Sequence, residues 1–330
     1  MKIAVVILNW NGRQLLEQFL PGVVRNSPDA VVYVADNAST DDSIAFVARE
    51  FPSVKIIRNA GNFGFAKGYN TALQFVDEEI YALVNSDIEV TENWLDPIAD
   101  TFANEPDTAI IQPKILDFKN KALFEYAGAG GGFIDQFGYP FCRGRVFDTV
   151  EQDEGQYDDA IEIFWASGAC FFIRRDIYRM LNGFDDSFFA HQEEIDLCWR
   201  AFNHNVRIKY IPQSVVYHVG GATLQQGNPR KTYLNFRNSL LMLTKNLPKD
   251  KLYLILLQRM VLDGLAGMQF VAKGKWKHFF AILQAHGAFY RLFSSAYRKR
   301  ASFQSKEYYK IKSIVVAYYV QGKKTFLKLF

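Results

Sequence analysis

Cysteine is scarce in this chain of 330 residues: there are three, at positions 142, 170 and 198, with no CxxC pair. Odd number and wide spacing exclude a disulfide framework and a zinc ribbon, and fit a reducing compartment. A signal peptide's small-residue cleavage site is missing, because the chain opens directly on the strand-like run Ile3 to Leu8. Long uncharged runs are missing too. Leu252 to Ala272 is the most apolar late stretch, yet Arg259 and Asp263 lie well inside it, against a spanning helix of about 20 nearly uncharged residues. The glycine-rich stretch Gly128-Ala129-Gly130-Gly131-Gly132 has no Lys-Ser/Thr partner, which excludes a phosphate-cradling P-loop and leaves a loop or bulge. Acidic residues nearly vanish from the end of the chain. Residues 231–330 hold 19 Lys and Arg against 3 Asp and Glu, a surplus of 16, whereas residues 1–230 hold 19 against 32. Such a split points the last third toward an anionic surface, nucleic acid or lipid on charge alone, or marks a basic tail without a partner.

What is present is a βα alternation. Short Val- and Ile-rich runs at Ile3–Leu8, Val31–Ala35, Val54–Ile57, Ile80–Val84 and Ala109–Ile111 are separated by amphipathic stretches at Arg13–Arg25, Asp42–Glu50 and Lys67–Val76. Continuous apolar strands between helices predict an α/β fold with a mostly parallel sheet covered on both faces. Ligands of such sheets bind at the carboxyl ends of the strands. Four strand ends here are polar: Asn9-Trp10-Asn11-Gly12, Asp36 to Asp41, Asn59 to Gly64, and Asn85-Ser86-Asp87. Helix capping accounts for Thr40 or Asp41 ahead of the second helix, but not for all four clusters. The acidic stretch Asp148–Asp159 is expected to be a mobile surface loop. Ile161–Trp165 and Cys170–Arg175 read as two strands around a turn at Ser167-Gly168-Ala169. From about Asn228 the pattern becomes helical and basic.

Seven segments, in order, resemble the family 2 glycosyltransferases of GT-A fold. They are Val6 to Asn11, Ala35 to Asp41, Asn62-Phe63-Gly64-Phe65-Ala66-Lys67-Gly68-Tyr69-Asn70, Asn85-Ser86-Asp87, Gly183 to Phe189, Glu193-Glu194-Ile195-Asp196-Leu197, and His218-Val219-Gly220-Gly221-Ala222-Thr223. Tyr233 to Asn238 continues the pattern and opens a helix. The likeness is strongest to bacterial rhamnosyltransferase-like members that build cell-surface polysaccharides. It implies a GT-A catalytic domain over residues 1–228, with a donor half to about 115 and an acceptor half from 116. A basic amphipathic helical region follows over 229–330.

By resemblance, a nucleoside-diphosphate sugar is bound by Asn9, Asp36, Asn37, Asn62, Lys67, Asn85, Ser86 and Asp87, with Asp36 accepting from the base. A divalent cation, Mg²⁺ or Mn²⁺, is implied at Asp87 and His218; a hard cation neutralises the leaving diphosphate. Asn85 stands where the family has a first acid, so one carboxylate serves instead of two. The implied reaction is inverting transfer to a saccharide, with Glu194, or its neighbour Glu193, as general base. Repulsion among Glu193, Glu194 and Asp196 is expected to raise one pKa; a solvated acidic first turn is the competing reading. Trp165, Gly168 and Asp185 are expected at the acceptor, and Lys67 and Arg230 near diphosphate charge. The acceptor implied is a lipid-linked saccharide. The protein is then cytoplasmic and peripheral on the inner face of the cell membrane, its basic third on anionic lipid, with no nucleic acid partner. Two alternatives remain open here: a non-catalytic sugar- or membrane-binding relative, and a nucleotidyltransferase, for which a Gly-rich basic loop after the first strand is lacking.

Overall fold

The computed structural model describes residues 1–220 and 227–330. The last part of the seventh segment, Gly221-Ala222-Thr223, lies outside the described residues. Nine strands form the main sheet: β1 (Ile3–Asn9), β2 (Ala30–Asp36), β3 (Lys55–Arg58), β4 (Ile80–Asn85), β5 (Ile88–Val90), β6 (Thr108–Asp117), β11 (Ile161–Glu162), β12 (Cys170–Arg174) and β13 (Arg207–His218). A smaller sheet holds β7 (Gly132–Ile134), β8 (Pro140–Cys142), β9 (Arg145–Val146) and β10 (Thr149–Val150). The helices are α1 (Arg13–Arg25), α2 (Ser43–Glu50), α3 (Gly64–Ala72), α4 (Asp96–Asn104), α5 (Arg175–Met180), α6 (Glu193–Asn203), α7 (Pro229–Asn246), α8 (Leu252–Ala272) and α9 (Trp276–Arg298).

The main sheet runs β11-β13-β6-β12-β4-β1-β2-β3, with β5 on β13. The pairs among β1 to β4 are parallel, as the apolar runs predict, but β12 enters antiparallel between β4 and β6. Side chains of β1 alternate between two cores: Ala4 and Val6 face one, Ile3, Val5 and Ile7 the other. That period of two, with apolar residues at both phases, is why the strand reads as an unbroken hydrophobic run. Register places Asn9 opposite Asp36, and Leu8 opposite Asn85, so three polar strand ends meet at one sheet edge.

The acidic stretch 148–159 is not the loose loop expected of it. Lys114 pairs with Asp153 at 2.7 Å and with Asp158, Arg143 pairs with Asp159, and Tyr157 is buried. Two largely buried cations need those carboxylates, and the segment is fixed by supplying them.

The C-terminal third wraps onto the sheet domain. Lys245 of α7 reaches Asp185 and Asp196, each at 2.7 Å, and Lys299 reaches Asp185 at 2.6 Å. Asn246 donates to Asp196 at 2.9 Å. Phe326 packs with Phe133, Phe141 and Tyr157. In α8, Arg259 pairs with Asp263 at 2.9 Å and lies 3.8 Å from the Tyr139 ring centre, while His286 of α9 meets Asp263 at 3.1 Å. These charges therefore point inward. Outward, Tyr253, Leu254, Leu257, Val261, Leu265 and Met268 are each more than half exposed. By length and composition α8 is long and apolar enough to cross a membrane; its paired charges instead dock it against the β7–β8 turn.

Two cations hold the Asp185 carboxyl far below the ordinary aspartate value near 3.8, against the opposing effect of burial. The stability this confers is complete above that ordinary value and is lost as pH falls toward the lowered one. Asp185→Ala is expected to destabilise the fold by about 3 kcal/mol in chemical denaturation, the cost of leaving a buried cation short of its partner.

Candidate active site

The polar strand ends form a bonded cluster. Asn9 is fully buried, and its amide nitrogen lies 3.3 Å from Asp36 Oδ1, 3.1 Å from Ser39 Oγ and 3.0 Å from Ser43 Oγ. Asp36 in turn accepts from the Ser39 backbone at 3.1 Å, an Asx turn that ends β2. Asn62 caps the approach to α3 by accepting from Gly64 N at 3.1 Å. Lys67 is exposed on the first turn of α3, 4.5 Å from the Phe63 ring centre, and Ser86 is partly open beside Gly12.

Asp87 lies just past β4 and is 3% exposed. His218, at the end of β13, is brought beside it because β13 pairs with β5 from His218↔Ile88 onward. His218 Nε2 is 3.2 Å from Asp87 Oδ1, and Nδ1 is 3.2 Å from Glu125 Oε1. Burial disfavours charge on the ring, but the flanking carboxylates of Glu125 and Asp87 push its pKa up to about 10. Reciprocally, burial would raise Asp87, yet the bond to and charge of His218 hold it below the usual carboxylate range. Asn85 leans on the same ring at 3.5 Å.

On the other side stands the acidic pair that opens α6. Glu193 is buried, and Glu194 is partly open; a Cβ built on Gly168 would lie 3.7 Å from the Glu194 side chain and 3.4 Å from Phe65. The Ser167–Ala169 turn joins both halves of the site, since Ala169 O accepts from Asn85 N at 2.9 Å. Burial pushes Glu194 up to about 7, and raises Glu193 well above the usual carboxylate range with help from the Glu194 charge. Repulsion was the expected cause; for Glu194 it is desolvation, because Asp196 is neutralised by Lys245 and Arg200.

The loop before α6 is strained: Phe189, His191 and Gln192 have φ of 64°, 70° and 72°. Such non-glycine backbone persists only where its surroundings over-determine it. Here Asn238 of α7 donates to the carbonyls of Phe188, Ala190 and His191 at 3.0, 2.9 and 2.7 Å. Arg237 adds bonds to Ser187 and Phe188, and Phe65 N donates to Phe189 O at 2.8 Å.

Several expected site residues have other work. Trp165 is 2% exposed and donates its indole N–H to Phe133 O, so it is a core residue and no acceptor floor. Asp185 is occupied by Lys245, Lys299 and Ser187. Asn37 is likewise taken at both ends of its amide, by Gly64 O and Asn59 Nδ2, and shapes the loop instead of facing a donor. Glu125 and Asn238 were missed: the first has no motif around it, and the second sat in a recognised segment without an evident task.

Among the described residues no group of three or more His, Cys, Asp and Glu is arranged to hold a metal ion. The edge nonetheless has open valences. Asn9 Oδ1, Asp87 Oδ2, Glu193 Oε2, Glu194 Oε2, His191 Nε2 and Gln192 Oε1 are buried without a partner. Native proteins leave few such atoms, and each calls for a partner. Asp87 Oδ2 is of the chemistry that suits a hard divalent cation, whose remaining ligands a diphosphate would supply.

Comparison with known proteins bears on the family and the fold. The profile described as Glycosyl transferase family 2 matches residues 4–181. An N-acetylglucosaminyl-diphospho-decaprenol L-rhamnosyltransferase of Mycobacterium tuberculosis is 24% identical over 234 residues, 66% of this chain and 75% of that protein. A low-salt glycan biosynthesis hexosyltransferase of Haloferax volcanii is 22% identical over 72% of this chain and 74% of its own length. Among solved structures, S. aureus TarS with UDP-GlcNAc superposes with a TM-score of 0.58 at 16% identity, covering 91% of this chain and 84% of the other. GalNAc-T7 with UDP, GalNAc and Mn²⁺ gives 0.59 at 18% identity over 74% of this chain, which spans 48% of that protein. The architecture is thus that of the GT-A glycosyltransferases, and with over half its residues matched by the family profile the chain belongs to glycosyl transferase family 2.

Proposed function

We propose that this family 2 enzyme transfers a sugar, with inversion, from a nucleoside-diphosphate sugar to a lipid-linked saccharide in cell-surface polysaccharide synthesis. The observation that carries the reading is the pairing of two contrasting acidic centres across the Ser167–Ala169 turn. Asp87 stays ionised beside a cationic His218, whereas Glu194 is raised to about 7 by burial. Titratable groups pushed apart in this way assign acid and base roles. Asn9, Asp36, Asn62, Asn85 and Ser86 line the edge where the nucleoside and its diphosphate would lie, with Lys67 at the rim. A divalent cation held by Asp87, with His218 beside it, would neutralise charge building on the departing diphosphate. Glu194 takes the proton of the acceptor hydroxyl as that oxygen attacks the anomeric carbon from the face opposite the diphosphate. Glu193, more deeply buried, keeps its proton and spares Glu194 a neighbouring charge. The relatives' names support the donor and acceptor classes: one acts on a diphospho-decaprenol substrate, and a solved neighbour holds UDP-GlcNAc.

The exposed apolar face of α8, with Trp276 and Leu283 of α9 also more than half exposed, supports peripheral docking on an anionic membrane. Buried apolar area plus cationic flanks is the signature of a helix lying in the interface plane.

Screening UDP-, dTDP- and GDP-sugars for thermal stabilisation, with and without Mn²⁺, identifies the donor, since ligand binding to the native state raises stability by mass action. No stabilisation by any of them would refute donor binding. Glu194→Gln is expected to lower kcat by about 10²- to 10⁴-fold at unchanged melting temperature, the usual contribution of a general base. In the wild type, kcat/KM should fall roughly tenfold per unit as pH drops below about 7, because the protonated base is inactive. A flat profile from pH 5 to 8 would remove Glu194 from that role. Glu125→Gln is expected to weaken Mn²⁺-dependent nucleotide binding by about 10- to 100-fold, because His218 loses the carboxylate that orients it beside Asp87; calorimetric titration reads this directly. Leu257→Asp with Leu265→Asp should abolish flotation with anionic vesicles while leaving donor binding intact.

A further inference from the structure

A cleft of about 710 Å³ opens between the N-terminal half of α7, the first turns of α9 and the loop before α6. Three cations line it, Arg230, Arg237 and Lys277, together with Phe189, Tyr233 and Phe280, and no carboxylate is among its lining residues. Nor does any of the three cations form an ion pair among the described residues. Arg237 has a structural task, since its Nη2 and Nε bond the Ser187 and Phe188 carbonyls and Asn238. Arg230 and Lys277 are exposed, and Arg230 lies 5.3 Å from the Phe189 ring centre. Unpaired cations converging on one concavity repel each other, and an anion with several charged oxygens relieves that.

The cleft also has a direction. One wall, Phe189, belongs to the strained loop that leads to Glu193 and Glu194 and is bonded to Phe65. Phe280 of α9, which also lines the cleft, is 55% exposed and lies one helical turn from Trp276 and Leu283, themselves more than half exposed. Base, cations and apolar surface thus follow one another in the order sugar, diphosphate, lipid.

We infer that this cleft binds the diphosphate of a prenyl-diphosphate-linked acceptor, with Arg230 and Lys277 as its cationic grip and the α8–α9 face receiving the lipid. The inference rests on the lipid-linked-acceptor reading above, and deepens it by assigning a site apart from Asp87. Isothermal titration of the full chain with farnesyl diphosphate tests it. Two lost charge-assisted bonds predict that R230E/K277E binds this probe at least about tenfold more weakly than wild type. Asp87→Ala should bind it as wild type does, and farnesol or inorganic diphosphate alone should bind at least about tenfold more weakly. Should R230E/K277E fold poorly by circular dichroism, Lys277→Gln gives the same comparison. Loss in Asp87→Ala with none in R230E/K277E would place the probe in the donor site and overturn the inference. Equal binding of farnesol would also overturn it, showing plain apolar attraction. Nucleotide-sugar stabilisation of R230E/K277E is measured alongside. If it persists while farnesyl diphosphate binding is unchanged, the cleft assignment fails and the glycosyltransferase reading stands.

Discussion

One buried ammonium holds the active half of this protein together. Lys245 sits between Asp185 and Asp196, and those two residues bracket the segment that contains the strained loop and the glutamate pair. Each carboxylate is buried, and each would be costly without a cation. A lysine on α7 satisfies both, so the C-terminal helices and the geometry of α6 are one problem with one solution. Asn238, two turns earlier on the same helix, fixes the carbonyls of that loop, and Asn246, one residue beyond Lys245, bonds Asp196. Without α7, Asp185 would keep only the cation Lys299, Asp196 only Arg200, and the loop carbonyls would lose Asn238.

That arrangement explains how neighbouring acids acquire opposite characters. Asp196 is two residues from Glu194, yet it stays ionised because Lys245 and Arg200 face it. Glu193 and Glu194 have no such partners and are raised by burial. Asp87 is kept ionised by His218, and His218 kept charged by Glu125 on its far side. Each centre is set by which groups lie within bonding reach, and far less by its own residue type.

The sequence made some of this readable and hid the rest for physical reasons. Strands β1 to β4 were legible because both faces are buried, so their apolar runs are unbroken, and because Asp36, Asn85 and Asp87 punctuate the ends. The antiparallel β12 was legible as a strand but not in its place, since pairing direction leaves no local mark. Trp165 illustrates the opposite error: an aromatic near a polar turn has the same composition in a core as in a sugar site, and only the bond to Phe133 O decides. Glu125 was invisible because its meaning comes entirely from a histidine 93 positions later, delivered by the pairing of β13 with β5. Lys245 was invisible as well. One basic residue among 19 in the last hundred gives no sign that it alone turns inward onto two acids.

The cations from the start of α7 onward do not all serve the same end. Lys245, Arg259 and Lys299 meet carboxylates of the described fold, two of those pairs almost wholly out of water, and they serve assembly. Arg230 and Lys277 meet none and stand in a concavity open to solvent. Assembly alone would not concentrate unpaired cations beside aromatic rings at the mouth of a site, because each like charge added there works against the fold. Their position next to the loop that carries Glu193 and Glu194, and next to an apolar surface that the fold leaves uncovered, gives the surplus a direction. On the function proposed above, that direction is toward an acceptor whose charge lies between its sugar and its lipid.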